Sequence, residues 1–314
     1  MGEYLLFVAK AATVAALAAL LLACARRRPR GGVGRLEVRL LDREIEKRQR
    51  QVADATRTAR ERWRARRGGG RLPPRRRVFV LDFHGDLRAS RVHQLREEIT
   101  AVLGSATAED EVVLRLESAG GAVEGYGFAA SQLGRLRRAG IPLTVCVDQV
   151  AASGGYLMAC VADRILAAPF AWVGSVGVVA QIPNFHRFLE RHQIDFEVFT
   201  AGRHKRTLTL FGENSDAGRL KLAEQLNAVH RRFIEHLRAH RPRLDVERIA
   251  SGETWLAVEA LELGLVDGLS TSDEYLLRRM EEARLVGVRF RAEGGRWAGS
   301  LLGRARQLLA PLSP

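Results

Sequence analysis

The alternation of apolar and polar positions predicts a series of short strands and helices from Val78 onward. Short apolar runs indicate strands, and apolar residues spaced three or four positions apart indicate helices between them. The predicted strands are 78–83, 112–116, 143–147, 164–167, 176–180 and 196–200. The predicted helices are 92–103, 123–138, 156–162, 185–191, 216–240, 246–250, 257–263 and 273–282. Strands that alternate with helices are typical of an α/β fold with a largely parallel sheet.

The N-terminal pattern differs because it is almost continuously apolar. Residues 4–25 are interrupted only by Lys10, and a helix of this length extends roughly 33 Å, enough to cross a bilayer. Lys10 lies near the start, where its amine can reach the headgroups. We therefore predict a transmembrane anchor at residues 1–25. The alternative is a cleaved signal ending near Cys24, although Glu3 and the apolar residues before Lys10 make a poor charged leader.

The net charge of +14 comes from one segment, residues 26–77, which we call the basic spacer. It contains 20 Lys/Arg against 6 Asp/Glu, so the rest of the 314 residues is neutral. No specific nucleic acid partner is expected of a neutral body. The arginines that follow the apolar segment are of the kind normally retained on the cytoplasmic side. Residues 36–67 are predicted to form a charged helix, either against the lipid bilayer or as a solvated spacer.

Glycines and prolines at 68–74 end the basic spacer. A folded domain is expected at 78–290, followed by a basic amphipathic tail at 291–314 that packs on a neighbouring subunit or lies on the membrane. The three cysteines have no spacing typical of disulfide frameworks or metal sites, and Cys146 and Cys160 lie in apolar runs that indicate core positions. No phosphate-binding loop or metal-ligand cluster is present in the sequence, so no cofactor is expected.

Ser153 lies between a predicted strand and a predicted helix. Its neighbours Ala152, Gly154 and Gly155 are small, which permits a tight turn and a close approach of backbone. The start of a helix offers unpaired N–H groups and the positive end of the helix dipole, so this position suits a nucleophile. The ordinary role of a serine at such a turn is a helix N-cap, and this stretch alone favours that role.

A second predicted strand, 112–116, also ends near a glycine pair, Gly120 and Gly121. Such strand ends line the ligand crevice of an open α/β sheet, where glycine N–H groups could hold an oxyanion. A serine nucleophile would also need a base, and no spacing selects one of the available histidines. They are His84, His93, His186, His192 and His204.

Lys205 is the other candidate base. It follows the predicted strand 196–200 and is flanked by His204, with Arg203 and Arg206 close by. Lysines are protonated in water at neutral pH, so a lysine base requires burial or neighbouring positive charge. Judged by itself, this stretch favours a solvated basic loop.

Five motifs together resemble the signal peptide peptidase A family of serine proteases. They are 113–121, 150–156, 174–178, 200–207 and 260–267, in the order expected of that family. Residues 4–77 are similar to the anchor and spacer of its inner-membrane members. The resemblance implies a Clp protease/crotonase-like spiral of ββα units and a Ser/Lys dyad. It also implies a homo-oligomeric ring in which the lysine can come from a neighbouring subunit.

The family's functional residues can be carried over where the motifs match. The resemblance implies that Ser153 is the nucleophile and Lys205 the general base, with Ser175 as an accessory hydroxyl that orients the amine. It also implies that the N–H groups of Gly121 and Gly154 form the oxyanion hole.

The sequence departs from the family at Ala119, where the family usually has proline. Since proline stiffens a turn, its loss could loosen the oxyanion hole.

The expected function is therefore that of a membrane-anchored serine endopeptidase. Its expected substrates are signal peptides or other hydrophobic membrane-derived peptides at the bacterial inner membrane. The arginines favour a cytoplasmic domain, whereas the better-known family members work on the outer face, and the side stays open. Two alternatives remain, a noncatalytic membrane scaffold of the same fold and a crotonase-type acyl-CoA enzyme.

Overall fold

The computed structural model describes residues 34–58, 76–202 and 205–292. Glu37–Arg289 forms one compact unit. The predicted anchor at 1–25 and the amphipathic stretch of the tail lie outside the described residues. In the part that is described, no helix has both the length and the apolar character needed to cross a bilayer.

The described residues form strands in two sheets, with helices between them. The strands are β1 (Gly34–Leu40), β2 (Arg77–His84), β3 (Glu111–Glu117), β4 (Leu143–Val147), β5 (Val150–Ala152), β6 (Arg164–Ala167), β7 (Trp172–Gly174), β8 (Thr254–Leu256), β9 (Gly268–Leu269) and β10 (Arg284–Ala292). The helices are α1 (Leu41–Thr56), α2 (Val92–Leu103), α3 (Val123–Arg138), α4 (Gly154–Ala159), α5 (His186–Arg191), α6 (Asp216–His240), α7 (Val246–Ile249), α8 (Ala257–Glu262) and α9 (Ser272–Met280).

The larger sheet has the strand order β1-β10-β2-β3-β4-β6-β9. All neighbouring pairs from β10 to β9 are parallel. Parallel neighbours need crossover connections, which α2 supplies between β2 and β3 and α3 between β3 and β4. The predicted α/β fold with a largely parallel sheet is confirmed.

The smaller sheet places the strand that leads to Ser153. Its order is β5-β7-β8, with β5 parallel to β7 and β7 antiparallel to β8. A parallel bridge between Ser118 and Ala151 ties β5 to the residue that follows β3. The chain runs through β4, β5 and α4, and then β6, β7 and α5, so each strand pair puts one strand into each sheet.

Both faces of the larger sheet are buried. Along β2, Phe79 and Leu81 point into the main core while Val78 and Val80 point into a second core on the opposite face. Such strands are continuously apolar, which is typical of parallel sheets covered on both sides. Cys146 and Cys160 are free and buried, as their apolar context predicted.

The prediction of a charged helix at 36–67 is wrong at its start. Residues 34–40 form β1, and the helix begins at Leu41 and ends at Thr56. The alternation of Leu36 and Val38 with charged neighbours has the period of a strand. The high charge of the segment obscured this short alternation.

The two strands predicted at 176–180 and 196–200 are also wrong, because both ranges lack regular structure. The strand in the first region is β7, which ends at Gly174, and the chain then turns out of the sheet through positive φ angles at Gly174 and Ser175. In the second region Phe196 packs on Phe211, with ring centroids 5.5 Å apart. Side-chain packing within a surface segment has overridden β propensity there.

Candidate active site

Ser153 occupies a strained turn between β5 and α4. Its φ is 51° and its ψ −118°, and its backbone N–H donates to the Gly174 carbonyl at 2.8 Å. A non-glycine residue held in such a region costs about 1–3 kcal/mol, and such strain is concentrated at functional sites. The Ser153 side chain makes no capping hydrogen bond to α4. The N-cap role favoured by the local sequence is therefore wrong, and the hydroxyl is not committed to the helix.

Ser175 lies next to Ser153 by strand register. Ala152 of β5 pairs with Gly174 of β7, so the following residues, Ser153 and Ser175, leave adjacent parallel strands side by side. Ser175 has a φ of 52°, and its N–H donates to the Glu253 carbonyl. Both serines are half-buried. The structure thus brings together two hydroxyl-bearing residues whose separation in sequence is 22.

The glycine turn after β3 lies directly against the start of α4. Gly120 has a φ of 92°, and a Cβ added to it would lie 2.8 Å from both the Gly154 nitrogen and the Ser153 Cβ. Only glycine permits this approach. Within the described residues, the N–H groups of Gly121 and Gly154 donate no hydrogen bond. Both donors lie on the segments that flank Ser153, and each is free to donate a hydrogen bond to an external oxygen.

Lys205 has far fewer contacts than the residues around Ser153. It belongs to residues 185–211, which we call the Lys205 excursion. Lys205 is exposed, and its backbone N–H donates to the Gly202 carbonyl at 3.1 Å. Among the described residues there is no hydrogen bond between the Lys205 amine and either serine. The Ser/Lys dyad therefore stays a prediction.

The base of the Lys205 excursion is closed by hydrogen bonds. The Asn184 amide donates to the carbonyls of Thr209 and Gly212, each at 3.0 Å, and the Phe185 N–H donates to the Leu210 carbonyl at 2.7 Å. None of its described residues is buried, and it exposes several large apolar side chains. Those side chains are Phe185, Phe188, Ile194, Phe196, Val198, Phe199, Leu210 and Phe211.

No described histidine hydrogen-bonds to Ser153. His84 ends β2 and faces Glu117 at the end of β3, with 3.4 Å between the ring nitrogen and the carboxylate. The other described histidines named as candidates lie in α2 and at the two ends of α5: His93, His186 and His192. His204 is outside the described residues.

The sequence reasoning missed the contacts that hold α4 in place. The fully buried Tyr156 donates from its hydroxyl to the Leu265 carbonyl at 2.8 Å. Nearby, Arg241 makes two hydrogen bonds to Asp267, at 2.8 and 2.7 Å. Burial opposes the charge on Asp267, but the hydrogen bonds from Arg241 and the Ile165 N–H lower its pKa overall. The motif at 260–267 is thus a structural anchor beneath the helix that follows Ser153.

α6 contacts α4 through a histidine. The ring of His236 lies 3.2 Å from the Leu157 carbonyl through Nε2, and it stacks on His240 with centroids 4.3 Å apart. Burial, together with His240, lowers the pKa of His236 to about 4. No local sequence signal identifies this contact, because its partners are 79 positions apart.

Two family models match the chain in succession. The model described as Peptidase family S49 N-terminal matches residues 1–133, and the model described as Peptidase family S49 matches residues 135–286.

Several curated proteins are similar in sequence. "Probable protease SohB" of Haemophilus influenzae is 55% identical over 214 residues, which is 68% of this chain and 61% of that protein. "Probable protease SohB" of Buchnera aphidicola subsp. Acyrthosiphon pisum is 53% identical over 216 residues, 69% of this chain and 64% of that protein. "Protease 4" of Salmonella typhi is 29% identical over 177 residues, covering 55% and 28% of the two chains. The match spans less than two thirds of the length of both SohB relatives.

Proposed function

The chain belongs to peptidase family S49, as the five motifs predicted, and we propose that it is a serine endopeptidase with Ser153 as its nucleophile. The observation that carries the proposal is the strained Ser153 turn, with Ser175 beside it and the N–H groups of Gly121 and Gly154 on its flanks. The names of the SohB relatives, which describe them as proteases, support the same activity.

In the proposed reaction, the Ser153 hydroxyl attacks the carbonyl carbon of a peptide bond. The N–H groups of Gly121 and Gly154 donate to the oxyanion, and one such donor is worth about 3–4 kcal/mol in a serine protease. A neutral Lys205 amine accepts the serine proton and passes it to the leaving nitrogen, which breaks the C–N bond. Water then hydrolyses the acyl-enzyme, with the same amine as base. Ser175 orients that amine through its hydroxyl.

We place the lysine in a neighbouring subunit of a homo-oligomer. The Lys205 excursion exposes an apolar surface that the described residues of one chain leave uncovered, and Phe199 at 89% exposure is its extreme. Exposed apolar patches of this kind mark interaction sites, and a second copy supplies both the cover and the Ser153 turn that Lys205 lacks.

The proposed setting is the bacterial inner membrane, with residues 1–25 as a single-pass anchor. That assignment rests on the apolar run at 4–25. An anchored peptidase meets substrates in or beside the bilayer, so the proposed substrates are signal peptides or other hydrophobic membrane-derived peptides.

The test is covalent labelling of the full chain in detergent with a fluorophosphonate, followed by mapping of the modified residue. We expect the label on Ser153, and loss of both labelling and peptide cleavage in Ser153→Ala. Cleavage that survives in Ser153→Ala and Lys205→Ala would overturn the proposal. If the wild-type oligomer showed neither labelling nor cleavage, the result would favour the alternative of a noncatalytic scaffold. Binding of a coenzyme A thioester would favour the acyl-CoA alternative.

A further inference from the structure

We propose that the buried hydroxyls of Ser118 and Tyr126 are positioning groups for the oxyanion hole. They hold the glycine turn so that the Gly121 N–H points toward the reacting carbonyl. The inference rests on the proposed function, because it assigns these two residues to the same site. Neither side chain touches the substrate in this assignment, and both act through the backbone of the turn.

The hydrogen bonds form a chain with only one consistent direction. The Tyr126 hydroxyl lies 2.9 Å from the Asp86 carbonyl, which can only accept, so the tyrosine proton goes there. Ser118 Oγ lies 2.6 Å from the same hydroxyl and must therefore donate to it. The Ser118 oxygen then accepts the Gly120 N–H at 3.1 Å. Each proton in the chain has a single acceptor.

This chain fixes the orientation of the glycine turn. The Gly120 N–H is held by Ser118, whereas the next amide, that of Gly121, donates no hydrogen bond among the described residues. The bond from a serine side chain to the N–H two residues later is a known turn-stabilising contact. The turn is also held at its far end, where the Ala122 N–H donates to the Leu87 carbonyl at 2.7 Å.

The same two residues are tied to the nucleophile side of the site. The Ser118 N–H donates to the Val150 carbonyl at 2.8 Å, and the Ala152 N–H donates to the Ser118 carbonyl at 3.0 Å. Ser118 is thus joined by its backbone to β5, the strand that leads into Ser153. The Tyr126 ring packs directly beneath Gly154, so closely that a Cβ at Gly154 would collide with it. One tyrosine therefore supports both predicted oxyanion donors.

Burial makes this arrangement rigid. Tyr126 is completely buried and Ser118 is 2% exposed. Burial raises the pKa of Tyr126, which keeps its proton on the hydroxyl. The acceptor loop is itself fixed, because the Asp86 carboxylate accepts hydrogen bonds from the N–H groups of Arg88 and Ser90. Buried polar groups that are fully satisfied specify one geometry and cost free energy when one partner is removed.

The chain of hydroxyls also compensates for Ala119, which stands where the family usually has proline. Proline at that position would restrict the backbone before the glycine pair. In this protein the restriction comes from one side chain, since Ser118 Oγ accepts the hydrogen bond of the Gly120 N–H across Ala119. The turn is therefore constrained without the proline ring.

The experiment compares Tyr126→Phe and Ser118→Ala with Tyr275→Phe in the full chain. Tyr275 is a matched control because its buried hydroxyl donates to Glu111 at 2.6 Å in the second core, on the opposite face of the larger sheet. The readouts are the rate constant for fluorophosphonate labelling of Ser153, the affinity of a peptide aldehyde, and kcat and KM for a peptide. The labelling amplitude reports the folded fraction, so partial misfolding lowers the amplitude and not the rate constant.

We expect Tyr126→Phe and Ser118→Ala each to lower the labelling rate constant and kcat by about tenfold or more, with KM changed by less than about twofold. Aldehyde affinity should fall in parallel, since its hemiacetal oxygen occupies the oxyanion hole. The double variant should be little worse than either single variant, because both interrupt one chain of bonds. Tyr275→Phe should keep the wild-type rate constant.

Two negative results are distinguishable. If the wild-type protein is not labelled at Ser153, the proposed function fails. If the wild-type protein is labelled and Tyr126→Phe and Ser118→Ala label as fast as Tyr275→Phe, the positioning role is overturned while the nucleophile assignment stands.

Discussion

The surroundings of Ser153 and the Lys205 excursion differ in how many contacts hold them in place. Around Ser153, the turn is pinned by β7, the glycine turn, Tyr126 and Tyr156, all from one chain. The Lys205 excursion is closed only at its base by Asn184 and its neighbours and has no buried described residue. A strained backbone needs over-determined surroundings to persist. One chain therefore suffices to shape the Ser153 turn, whereas the Lys205 excursion leaves its large apolar side chains exposed, and this is why we proposed a second copy as its cover.

The largest expected effect is on activity in mixed oligomers. Ser153→Ala and Lys205→Ala should each lower kcat by at least about 10³-fold, since each removes a member of the dyad. If the two residues come from different subunits, mixing the variants before assembly should restore about a quarter of the wild-type activity, because sites form at subunit contacts. Peptide cleavage by the co-assembled sample is the measurement. A mixture as inactive as its components would place both residues of each dyad within one chain.

The next effect concerns the packing around Ser153. Gly154→Ala introduces a Cβ that collides with the Tyr126 ring, and it should lower the free energy of unfolding by about 2 kcal/mol or more. Gly127→Ala is the matched control in α3, where an added Cβ meets nothing within 4 Å and should raise stability by about 0.5–1 kcal/mol. Denaturant unfolding measures both. Equal stabilities would contradict the close packing inferred for the turn.

A smaller effect on folding but a clear one on assembly is expected in the Lys205 excursion. Phe199→Ser should change the stability of the folded subunit by less than about 0.5 kcal/mol, because its side chain is 89% exposed. It should nevertheless shift the oligomer toward smaller species in sedimentation velocity. Phe170→Ser is the control, since Phe170 is 83% exposed but lies between β6 and β7. An identical response of the two variants would contradict a specific role for the excursion.

A further expected effect is a pH dependence of stability at the contact between α6 and α4. The pKa of His236 in the folded protein, about 4, lies below the ordinary value of 6.5. The unfolded chain therefore binds the proton more readily, and the stabilising contribution is complete above pH 6.5 and is lost as pH falls toward 4. The free energy of unfolding, measured between pH 7 and pH 4, should fall with decreasing pH. Its slope should correspond to an uptake of about one proton at most on unfolding. His236→Gln, which keeps a donor for the Leu157 carbonyl, should lack it.

The sequence predicted the parts of the fold that have long periodic signals. The helices Val123–Arg138 and Asp216–His240 begin and end where predicted, because their apolar spacing is sustained over several turns. The β2, β3 and β4 core strands were predicted to within one or two residues at their ends. The short strands β8 and β9 and the late strand β10 were missed, since two or three residues carry no detectable period and β10 follows a predicted helix.

The candidate site was predictable only in part. Small residues around Ser153 indicated a tight turn, and the structure has one. The absence of a capping bond, the adjacency of Ser175 and the hydroxyl chain through Ser118 depend on strand register and on contacts between distant segments. The pattern of apolar and polar positions along the sequence contains no information about such contacts. Lys205 lies outside any helix or strand, so the sequence pattern holds no signal for the position of its amine relative to Ser153.

The position of β1 at the edge of the larger sheet has a consequence for reach if the proposed anchor is present. If residues 1–25 sit in the bilayer, only eight residues separate the lipid from Gly34, where β1 begins. Eight residues reach at most about 28 Å when fully extended. The folded domain would then reach only a thin layer of solution next to the headgroups. Peptide substrates would have to approach it by lateral diffusion within the membrane plane.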